Sequence, residues 1–349
     1  MLNKIVNAIM RNEKDPELNP IKITPDGYLE CMSGILYGKF KLFEKGEHAI
    51  NSDIYMNYKI FNSILYPSLS ENPTITLKNN VLNILSKESN LKINLSMPFD
   101  DYKKTLEELR NILEEINDKI IGTNWIISGE HFKEYAYLLK ENMKIAKSLS
   151  IYKDLNYLKI TDGKILSFSP ISMMAASTNF HTHIKSDMPG VLVDLILSSE
   201  PLYMEFAEEY IIVRYNEGEV ICKKLTYDEL EYKHFFEGLE KQGSIALDSI
   251  DKFWSMAQFI ESSYWVKNLH IKGKYPNGYI MLKSPTANIK RKIKISSGMV
   301  DIKISPQIFK LIYKLGLSDI SESDRVYTFM SENKDLIFVI SKELEGEQL

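Results

Sequence analysis

Four lysines recur along the stretch from Ser128 to Ser148 at spacings that follow a helix. Lys133, Lys140, Lys144 and Lys147 are separated by seven, four and three residues, so they share one side of a helix. Lysine ammonium groups on flexible stems suit contacts with phosphates that do not depend on base sequence. A solvated flank is the commoner explanation of such a stripe on a lone helix, and both interpretations stay open at this point.

An apolar face predicts how this helix is positioned. Phe132, Tyr135, Ala136, Leu139, Met143 and Ala146 recur at helical spacing and are expected to be buried, and Ser128 is a suitable N-cap. The lysine stripe lies about a quarter turn from this face, where it can reach solvent or a ligand.

The same order of elements, helix, strands, helix, strands, is predicted three times along the chain. The first helices are expected at residues 2–11, 128–148 and 249–262, and the second begin at Asp53, Pro189 and Ser305-Pro306. Short strands fill the intervals, including Leu91–Met97, Ala175–Ile184 and Ile289–Ile295, with Asn79-Asn80 and Asp162-Gly163 as tight turns. The predicted fold is therefore α+β, with two helices on antiparallel sheets in each unit. The predicted boundaries are 1–98, 124–240 and 241–349 for the three domains, with a linker at 99–123.

Most of the other predicted helices also carry cations that can face outward. We expect a basic surface on the helical side that comprises Lys4, Arg11, Lys59, Lys133, Lys140, Lys144, Lys147, Lys252, Lys310 and Lys314. The fourth helix has no cation and carries Asp194. The net charge is −4, so attraction for phosphates must be local.

The linker contains a further amphipathic helix, Asp101–Ile120, whose polar face is rich in glutamate and is not expected to face nucleic acid. It is either a helix packed on the outside, which we favour, or a docking helix for a partner.

Composition and motifs argue against several other classes of protein. Cys31 and Cys222 are far apart, which predicts neither a disulfide framework nor a metal pair and fits a cytoplasmic protein. No apolar run is long enough for a membrane helix, and no signal peptide is evident. His181 and His183 are expected to share a strand face in a structural role, since no third metal ligand is near. We find no phosphate-binding glycine loop and no catalytic constellation, so neither an enzyme nor a cofactor is predicted.

The unit order resembles the bacterial β-type DNA sliding clamp, the processivity factor of the replicative polymerase. Asp154–Ser169 is similar to the strand-turn-strand of the family's middle domain, and Lys223–Phe236 is similar to its crossing from the middle to the last domain. The resemblance implies three clamp-type domains per chain and two chains closed head to tail into a ring around duplex DNA. It implies a subunit contact between strand Leu91–Met97 and the strand at Asn288–Ile295. It also implies a DNA polymerase and a clamp loader as partners.

The resemblance also implies a pocket for partner peptides, lined here by Leu155, Ser169, Met173, Met174, Leu230, His234 and Phe235. The chain departs from the family there, with Ser169-Pro170-Ile171-Ser172-Met173 in place of a Thr-Asp-Gly-His-Arg-like turn. Leu230 and His234 stand where Pro and Arg are usual, and the third unit is expected to lack its final strand. Met173 and Met174 suit plain core equally well. Such departures suit a divergent, virus- or plasmid-encoded member that serves its own polymerase.

The leading hypothesis is therefore a non-enzymatic sliding clamp. The alternative is a structural or assembly protein of repeated β-rich domains, such as a viral tail or capsid component. An enzyme on an α+β scaffold is a third and weaker hypothesis.

Overall fold

The structure is a computed structural model of the full chain. It describes residues 2–10, 20–33, 35–44, 46–87, 90–95, 106–108, 110–111, 114–115, 125–148, 156–169, 171–225, 232–233, 236, 239–250, 253, 269–283 and 288–342. None of the helices it describes combines the length and the apolar character needed to cross a membrane.

The described strands are short and recur along the whole chain. In chain order they are β1 Pro20–Ile23, β2 Tyr28–Ser33, β3 Leu36–Lys41, β4 Ile54–Asn57, β5 Thr74–Lys78, β6 Val81–Leu85, β7 Asn90–Asn94, β8 Trp125–Ser128, β9 Tyr157–Thr161, β10 Lys164–Phe168, β11 Ser172–Ser177, β12 Ser186–Pro189, β13 Tyr203–Phe206, β14 Tyr210–Tyr215, β15 Gly218–Lys223, β16 Gly243–Ile245, β17 Leu269–Lys274, β18 Asn277–Lys283, β19 Asn288–Ile304, β20 Asp319–Glu322, β21 Val326–Met330 and β22 Leu336–Ser341.

The helices are fewer and most are amphipathic. They are α1 Leu2–Met10, α3 Gly129–Ser148, α4 Gly190–Ser198 and α5 Pro306–Lys314, together with a composite helix α2. Helix α2 consists of four consecutive pieces, Tyr58–Ile60, Phe61–Leu65, Tyr66–Ser68 and Leu69–Glu71, of which the second is a π-helix and the last a 3₁₀-helix. A 3₁₀-turn follows β16 at Leu247–Ser249.

The described chain divides into two compact units. Unit 1 comprises Met1–Glu134 and Ser186–Leu225, and unit 2 comprises Tyr135–Lys185 and Thr226–Leu349. Unit 1 contains an eight-stranded antiparallel sheet in the order β4-β1-β2-β3-β15-β14-β13-β8 and a three-stranded sheet β5-β6-β7. Strands from the predicted first and middle domains therefore share one sheet, because β3 pairs with β15.

Unit 2 repeats this arrangement with strands from the predicted middle and last domains. Its strands run in the order β9-β10-β11-β22-β21-β20-β16-β19-β17-β18, and β11 pairs with β22 where the two sequence regions meet. The three-domain division remains a prediction, since each compact unit includes part of the middle domain.

Both predicted tight turns have the backbone conformation that their sequences favour. Asn79 and Asn80 both have positive φ, 50° and 59°, between β5 and β6. Asp162 and Gly163, at 49° and 70°, connect β9 to β10 in the same way. Positive φ at both central residues matches the turn to the twist of the strands, and asparagine, aspartate and glycine tolerate it best.

The second helix of the first predicted domain begins later than expected, so the prediction of a helix from Asp53 is wrong. Residues 54–57 are strand β4, and Asn57 is the N-cap, whose Oδ1 accepts a 2.7 Å hydrogen bond from the amide of Lys59. Asp53 instead lies 3.1 Å from Nζ of Lys22, a buried lysine on β1. The helix also continues past Pro67, and the wider π-helical turn precedes this residue, which has no N–H to donate.

Three predictions about the later strands also need correction. β11 ends at Ser177, and His181 and His183 lie in the irregular segment after it rather than on a strand. β19 extends to Ile304, well beyond the predicted Ile295. The third predicted domain does not lack its final strand. Three strands, β20, β21 and β22, follow α5, just as β13, β14 and β15 follow α4.

Helix α5 begins as predicted. Ser305 is its N-cap, and its Oγ accepts a 3.2 Å hydrogen bond from the amide of Ile308. The predicted helix at 249–262 lies almost entirely outside the described residues.

Candidate nucleic-acid interface

Helices α1 and α4 pack against each other in unit 1 and cover one face of its large sheet. Leu2, Ile5, Val6 and Ile9 of α1 are buried. Lys4 lies on the exposed side of the same helix, and Lys59 is exposed in the first turn of α2. Each apolar face fixes the rotation of its helix, and that rotation directs these two cations away from the core.

The apolar face of α3 is confirmed for four of its predicted residues, whereas Tyr135 is only half-buried. Phe132, Ala136, Leu139 and Met143 are buried, whereas Lys133 and Lys140 are half-buried. Lys133 contacts another helix, since its Nζ donates to the carbonyl oxygen of Ser199, the C-cap residue of α4. A lysine in this position satisfies a helix-terminal carbonyl and complements the negative end of the helix dipole.

In unit 2, α5 brings two further lysines to the lysine-bearing part of α3. Ile308, Phe309, Leu311 and Ile312 are buried, and Lys310 and Lys314 are exposed one helical turn apart. Nζ of Lys314 lies 3.9 Å from Oε1 of Glu141, the residue after Lys140. This contact places Lys314 of α5 beside α3 at Glu141.

The remaining predicted DNA-facing residues cannot be placed in the same way. Arg11 and Lys252 lie outside the described residues, and for Lys144 and Lys147 only the helical backbone is described.

The turn at Ser169–Ser172, in the predicted partner pocket, is held by a buried polar network. Nδ2 of Asn142 donates to the carbonyl oxygen and the Oγ of Ser167, at 3.0 and 3.1 Å. The Oγ of Ser172 donates to Oδ1 of Asn142 at 2.6 Å and lies 2.6 Å from Oγ of Ser169. The Ser169 hydroxyl also accepts the amide of Ser172 at 3.0 Å.

Asn142 is a residue that the sequence analysis missed. It is fully buried on α3, between the predicted core positions Leu139 and Met143. A polar residue within an otherwise apolar helix face was the available signal, since a buried amide needs hydrogen-bond partners.

The two methionines of the predicted pocket, Met173 and Met174, have their side chains on opposite faces of β11. Met173 belongs to a buried cluster with Tyr157, Leu166, Phe168, Tyr232 and Val339. Met174 is fully buried but points to the opposite face of β11, because successive side chains of a strand alternate. The two side chains therefore do not line the same side of the sheet.

The segment between the predicted middle and last domains packs on the cluster that contains Met173. Leu155, Leu230, His234 and Phe235 lie outside the described residues, but Tyr232 is part of this cluster, and Phe236 and Leu239 pack against it. The hydroxyl of Tyr232 donates to Oδ2 of Asp162 at 3.1 Å, and Nζ of Lys233 lies 3.5 Å from the same oxygen. The hydrogen bond from Tyr232 is the main reason why the pKa of Asp162 lies below its ordinary value.

Part of the predicted linker helix is helical in the structure. Residues 106–108, 110–111 and 114–115 are helical, Leu106 is buried, and Glu107, Glu108, Glu114 and Glu115 are exposed. Lys22 and Glu30 lie on adjacent strands and their side chains are each only 1% exposed. Nζ of Lys22 lies 3.6 Å from Oε2 of Glu30. Burial raises the pKa of Glu30, and Lys22 and Arg110 partly offset this effect. The charge of Arg110 acts on Glu30, which supports the interpretation of a helix packed on the outside.

The residues that the structure describes provide no metal site. They contain no group of three or more His, Cys, Asp or Glu side chains arranged to hold a metal ion. The rings of His181 and His183 lie 4.9 Å apart, and the amide of His183 donates to Nδ1 of His181 at 3.3 Å.

Comparison with known proteins identifies the fold. No family model matches the sequence, and no curated protein matches it. Among solved structures, the chain is similar to a putative DNA polymerase III β subunit from Eubacterium rectale, with 12% identity, a TM-score of 0.73 and coverage of 97% of this chain and 96% of that one. It is also similar to the β subunit from Thermotoga maritima, with 10% identity, a TM-score of 0.70 and coverage of 97% and 95%. A third structure, the Helicobacter pylori β clamp bound to a DNA ligase peptide, has 11% identity, a TM-score of 0.68 and coverage of 97% and 96%.

The class of fold is thus the repeated α+β domain type found in polymerase processivity factors. In particular, the chain has the fold of the bacterial DNA polymerase III β subunit, the sliding clamp, over almost its whole length. The predicted resemblance is confirmed at the level of the fold, and the low identity fits a divergent sequence.

Proposed function

We propose that the protein is a DNA sliding clamp that encircles duplex DNA without regard to sequence and tethers a DNA polymerase. The observation that carries this proposal is the clamp fold over 97% of the chain, at TM-scores of 0.68 to 0.73. A tether of this kind raises the effective concentration of the polymerase at the primer end, and it involves no catalytic step of its own.

The cationic helix faces support contact with the duplex. Lys4, Lys59, Lys140, Lys310 and Lys314 are the proposed DNA-facing residues whose side chains are described and are directed away from the core. Lys144, Lys147, Arg11 and Lys252 complete the proposed set by sequence position, and Lys133 remains in it beside its contact with Ser199. A chain of net charge −4 that concentrates lysines on its helices provides weak, salt-sensitive and sequence-independent contacts.

Two strand edges support closure by a second copy of the chain. β7 is an edge strand of its three-stranded sheet, and residues 288–293 of β19 pair only with β18 in the part of the chain that the structure describes. Exposed edges of this kind are templates for pairing with another chain. We propose a head-to-tail dimer joined through these strands.

The turn at Ser169–Ser172 and the cluster around Met173 form the proposed site for partner peptides. A DNA ligase peptide is bound to the Helicobacter pylori clamp in its solved structure. We propose that Ser169 and Met173 contribute to an equivalent site here, with Leu155, Leu230, His234 and Phe235 beside them and Met174 in the underlying core. A polymerase and a clamp loader are the proposed partners, and the proposed location is the cytoplasm.

The mass and shape of the assembly test this proposal directly. Light scattering should give twice the 40.4 kDa chain mass, and negative-stain images should show a ring with a hole of duplex width. A monomer at micromolar concentration, or a particle without a hole, would contradict the proposal and favour a structural or assembly protein.

A topological assay tests the proposed contact with duplex DNA. Protein loaded onto nicked circular DNA should remain bound through gel filtration and should dissociate when the circle is linearised. The triple variant Lys140→Gln, Lys310→Gln, Lys314→Gln should be retained less well as salt rises. A matched control, Lys78→Gln, Lys87→Gln, Lys223→Gln, changes exposed lysines of unit 1 outside the proposed surfaces and should behave like the wild type. Equal retention of the wild type, the triple variant and the control would show that these helix lysines do not contact the DNA.

A further inference from the structure

A second basic surface lies on a sheet in unit 2. β17 and β18 form a hairpin, and β19 passes around its tip, so residues 288–294 pair with β18 and residues 299–304 pair with β17. The result is four antiparallel segments side by side. We call the exposed side of these segments the basic sheet face, and it carries Lys272, Lys274, Lys290, Lys292, Lys294 and Lys303.

The alternation of each strand places all six lysines on this side. Lys294, Asn277, Lys274 and Met299 are neighbours in one row across the segments. Lys292, Tyr279, Lys272 and Asp301 form the next row, and Lys290, Met281, His270 and Lys303 form the third. The opposite side is mostly apolar and buried, with Ile271, Ile280, Ile293, Val300 and Ile302, and it also carries the half-buried Arg291. Burial of that side fixes the register and so fixes which side the lysines occupy.

Very little negative charge offsets these lysines. Asp301 is the sole acidic residue in β17, β18 and β19. It is engaged by Nζ of Lys272 at 2.5 Å and by Nε2 of His270 at 2.7 Å. Burial opposes the ionisation of Asp301, but these two hydrogen bonds outweigh it and lower its pKa. Five lysines therefore remain on the face without a carboxylate of these strands to neutralise them.

Mutual repulsion of so many like charges is unfavourable for the folded sheet, and cross-strand like charges destabilise a sheet directly. The chain as a whole has a net charge of −4, so this concentration of positive charge is local to the basic sheet face. A ligand that carries many negative charges relieves this repulsion, and its binding releases counterions.

We propose that the basic sheet face binds the backbone of single-stranded nucleic acid. Lysines on alternate positions of β19 are about 7 Å apart, and the four segments span about 14 Å. A flexible single strand can follow the face and bring successive phosphates to several lysines, whereas a stiff duplex meets a twisted sheet along a narrow line.

Two side chains in the middle of the face favour nucleic acid over an acidic peptide. Tyr279 and Met281 lie on β18 between the lysines of β17 and those of β19. Nζ of Lys290 lies 4.2 Å from the centroid of the Tyr279 ring. Bases stack on aromatic and apolar side chains of this kind, and single-strand-binding surfaces combine such side chains with lysines along the backbone. An acidic peptide has no comparable use for them.

The test measures binding of the full-length protein to a fluorescent oligothymidylate of about 20 nucleotides across a salt series. The variant Lys274→Gln, Lys294→Gln, Lys303→Gln, whose three changes lie outside the proposed dimer edge at residues 288–293, should lose at least about tenfold in affinity at low salt, and the slope of log affinity against log salt should become shallower by about two. The matched control Lys78→Gln, Lys87→Gln, Lys223→Gln removes the same charge and should bind as the wild type does.

Other outcomes would overturn the proposal. One is equal binding by the two triple variants, which would mean that the effect is only net charge. Another is tighter binding of a duplex of equal length, and a third is equally effective competition by polyglutamate, which would assign the face to an acidic peptide. The Lys140→Gln, Lys310→Gln, Lys314→Gln variant should keep its affinity for the oligothymidylate, so failure of this proposal is distinguishable from failure of the proposed clamp function.

Discussion

The Oγ of Ser172 donates a 2.6 Å hydrogen bond to Oδ1 of Asn142, and this bond fixes the start of β11 to the middle of α3. Ser172 also closes the turn that begins at Ser169. The helix proposed to face DNA and the turn proposed to receive partner peptides are therefore joined through one fully buried amide.

We predict that Asn142→Ala lowers the free energy of unfolding by about 1–3 kcal/mol, because it removes the buried hydrogen bonds that Asn142 makes with the Ser172 hydroxyl and the Ser167 carbonyl. Urea denaturation measures this change. Asn51→Ala, at an exposed asparagine, is the control and should stay within about 0.5 kcal/mol of the wild type. A cost at Asn142 no larger than that of the control would show that the network does not hold the turn.

A second prediction concerns the buried pair on the unit 1 sheet. Lys22→Met removes the cation that faces Glu30 and should cost about 3–5 kcal/mol near neutral pH, since it leaves a buried carboxylate unpaired. The double variant Lys22→Met, Glu30→Gln should recover much of this loss. Urea denaturation of the wild type, Lys22→Met, Glu30→Gln and the double variant completes a double-mutant cycle.

The same pair predicts a dependence on pH with a definite sign. The pKa of Glu30 is raised in the folded protein, so its protonated form adds stability that is present at low pH and is lost as pH rises through the folded pKa. The cost of Lys22→Met should therefore be larger at pH 8 than at pH 5. In the Glu30→Gln background the cost should not depend on pH in this range, and a persistent dependence would implicate another group.

These buried charges also show which features of the fold could be predicted from the sequence and which could not. Short alternating strands, the two hairpin turns and the apolar faces of α1, α3 and α5 follow local patterns, and those predictions agree with the structure. Asp53 was predicted to cap a helix because it precedes an apolar run at helical spacing. Its actual contact is with Lys22, a residue on a distant strand, and no local pattern reports such a pair.

For the candidate site as well, local spacing gave useful predictions but did not give contacts between distant elements. The spacing of the lysines predicted an exposed stripe, but Lys133 and Lys140 are half-buried, and the spacing did not predict that Lys133 contacts the end of another helix. Met173 and Met174 were assigned to one pocket by resemblance, although strand alternation alone separates their directions. The basic sheet face was missed because β19 changes its pairing partner from β18 to β17 along its length, and this change depends on tertiary structure.

The two cysteines provide a third prediction. Cys31 and Cys222 are buried, and burial raises the pKa of both thiols, that of Cys222 to about 12. Since the thiolate is the reactive form, a disulfide reagent at pH 8 should label the native protein only as it unfolds and should find two thiols in urea. Ser52→Cys, at an exposed position, should add one thiol that reacts at once. Rapid labelling of the wild type would contradict the burial of these side chains.

The final prediction separates the two roles within the lysine stripe. Nζ of Lys133 donates to the carbonyl oxygen of Ser199 at the end of α4, so Lys133→Gln should lower the free energy of unfolding by about 0.5–2 kcal/mol. Its effect on retention by nicked circular DNA should be smaller than that of Lys140→Gln, which removes a charge two turns further along the same helix. If the two variants changed both measurements to the same extent, the contact with Ser199 would not distinguish Lys133 from the rest of the stripe.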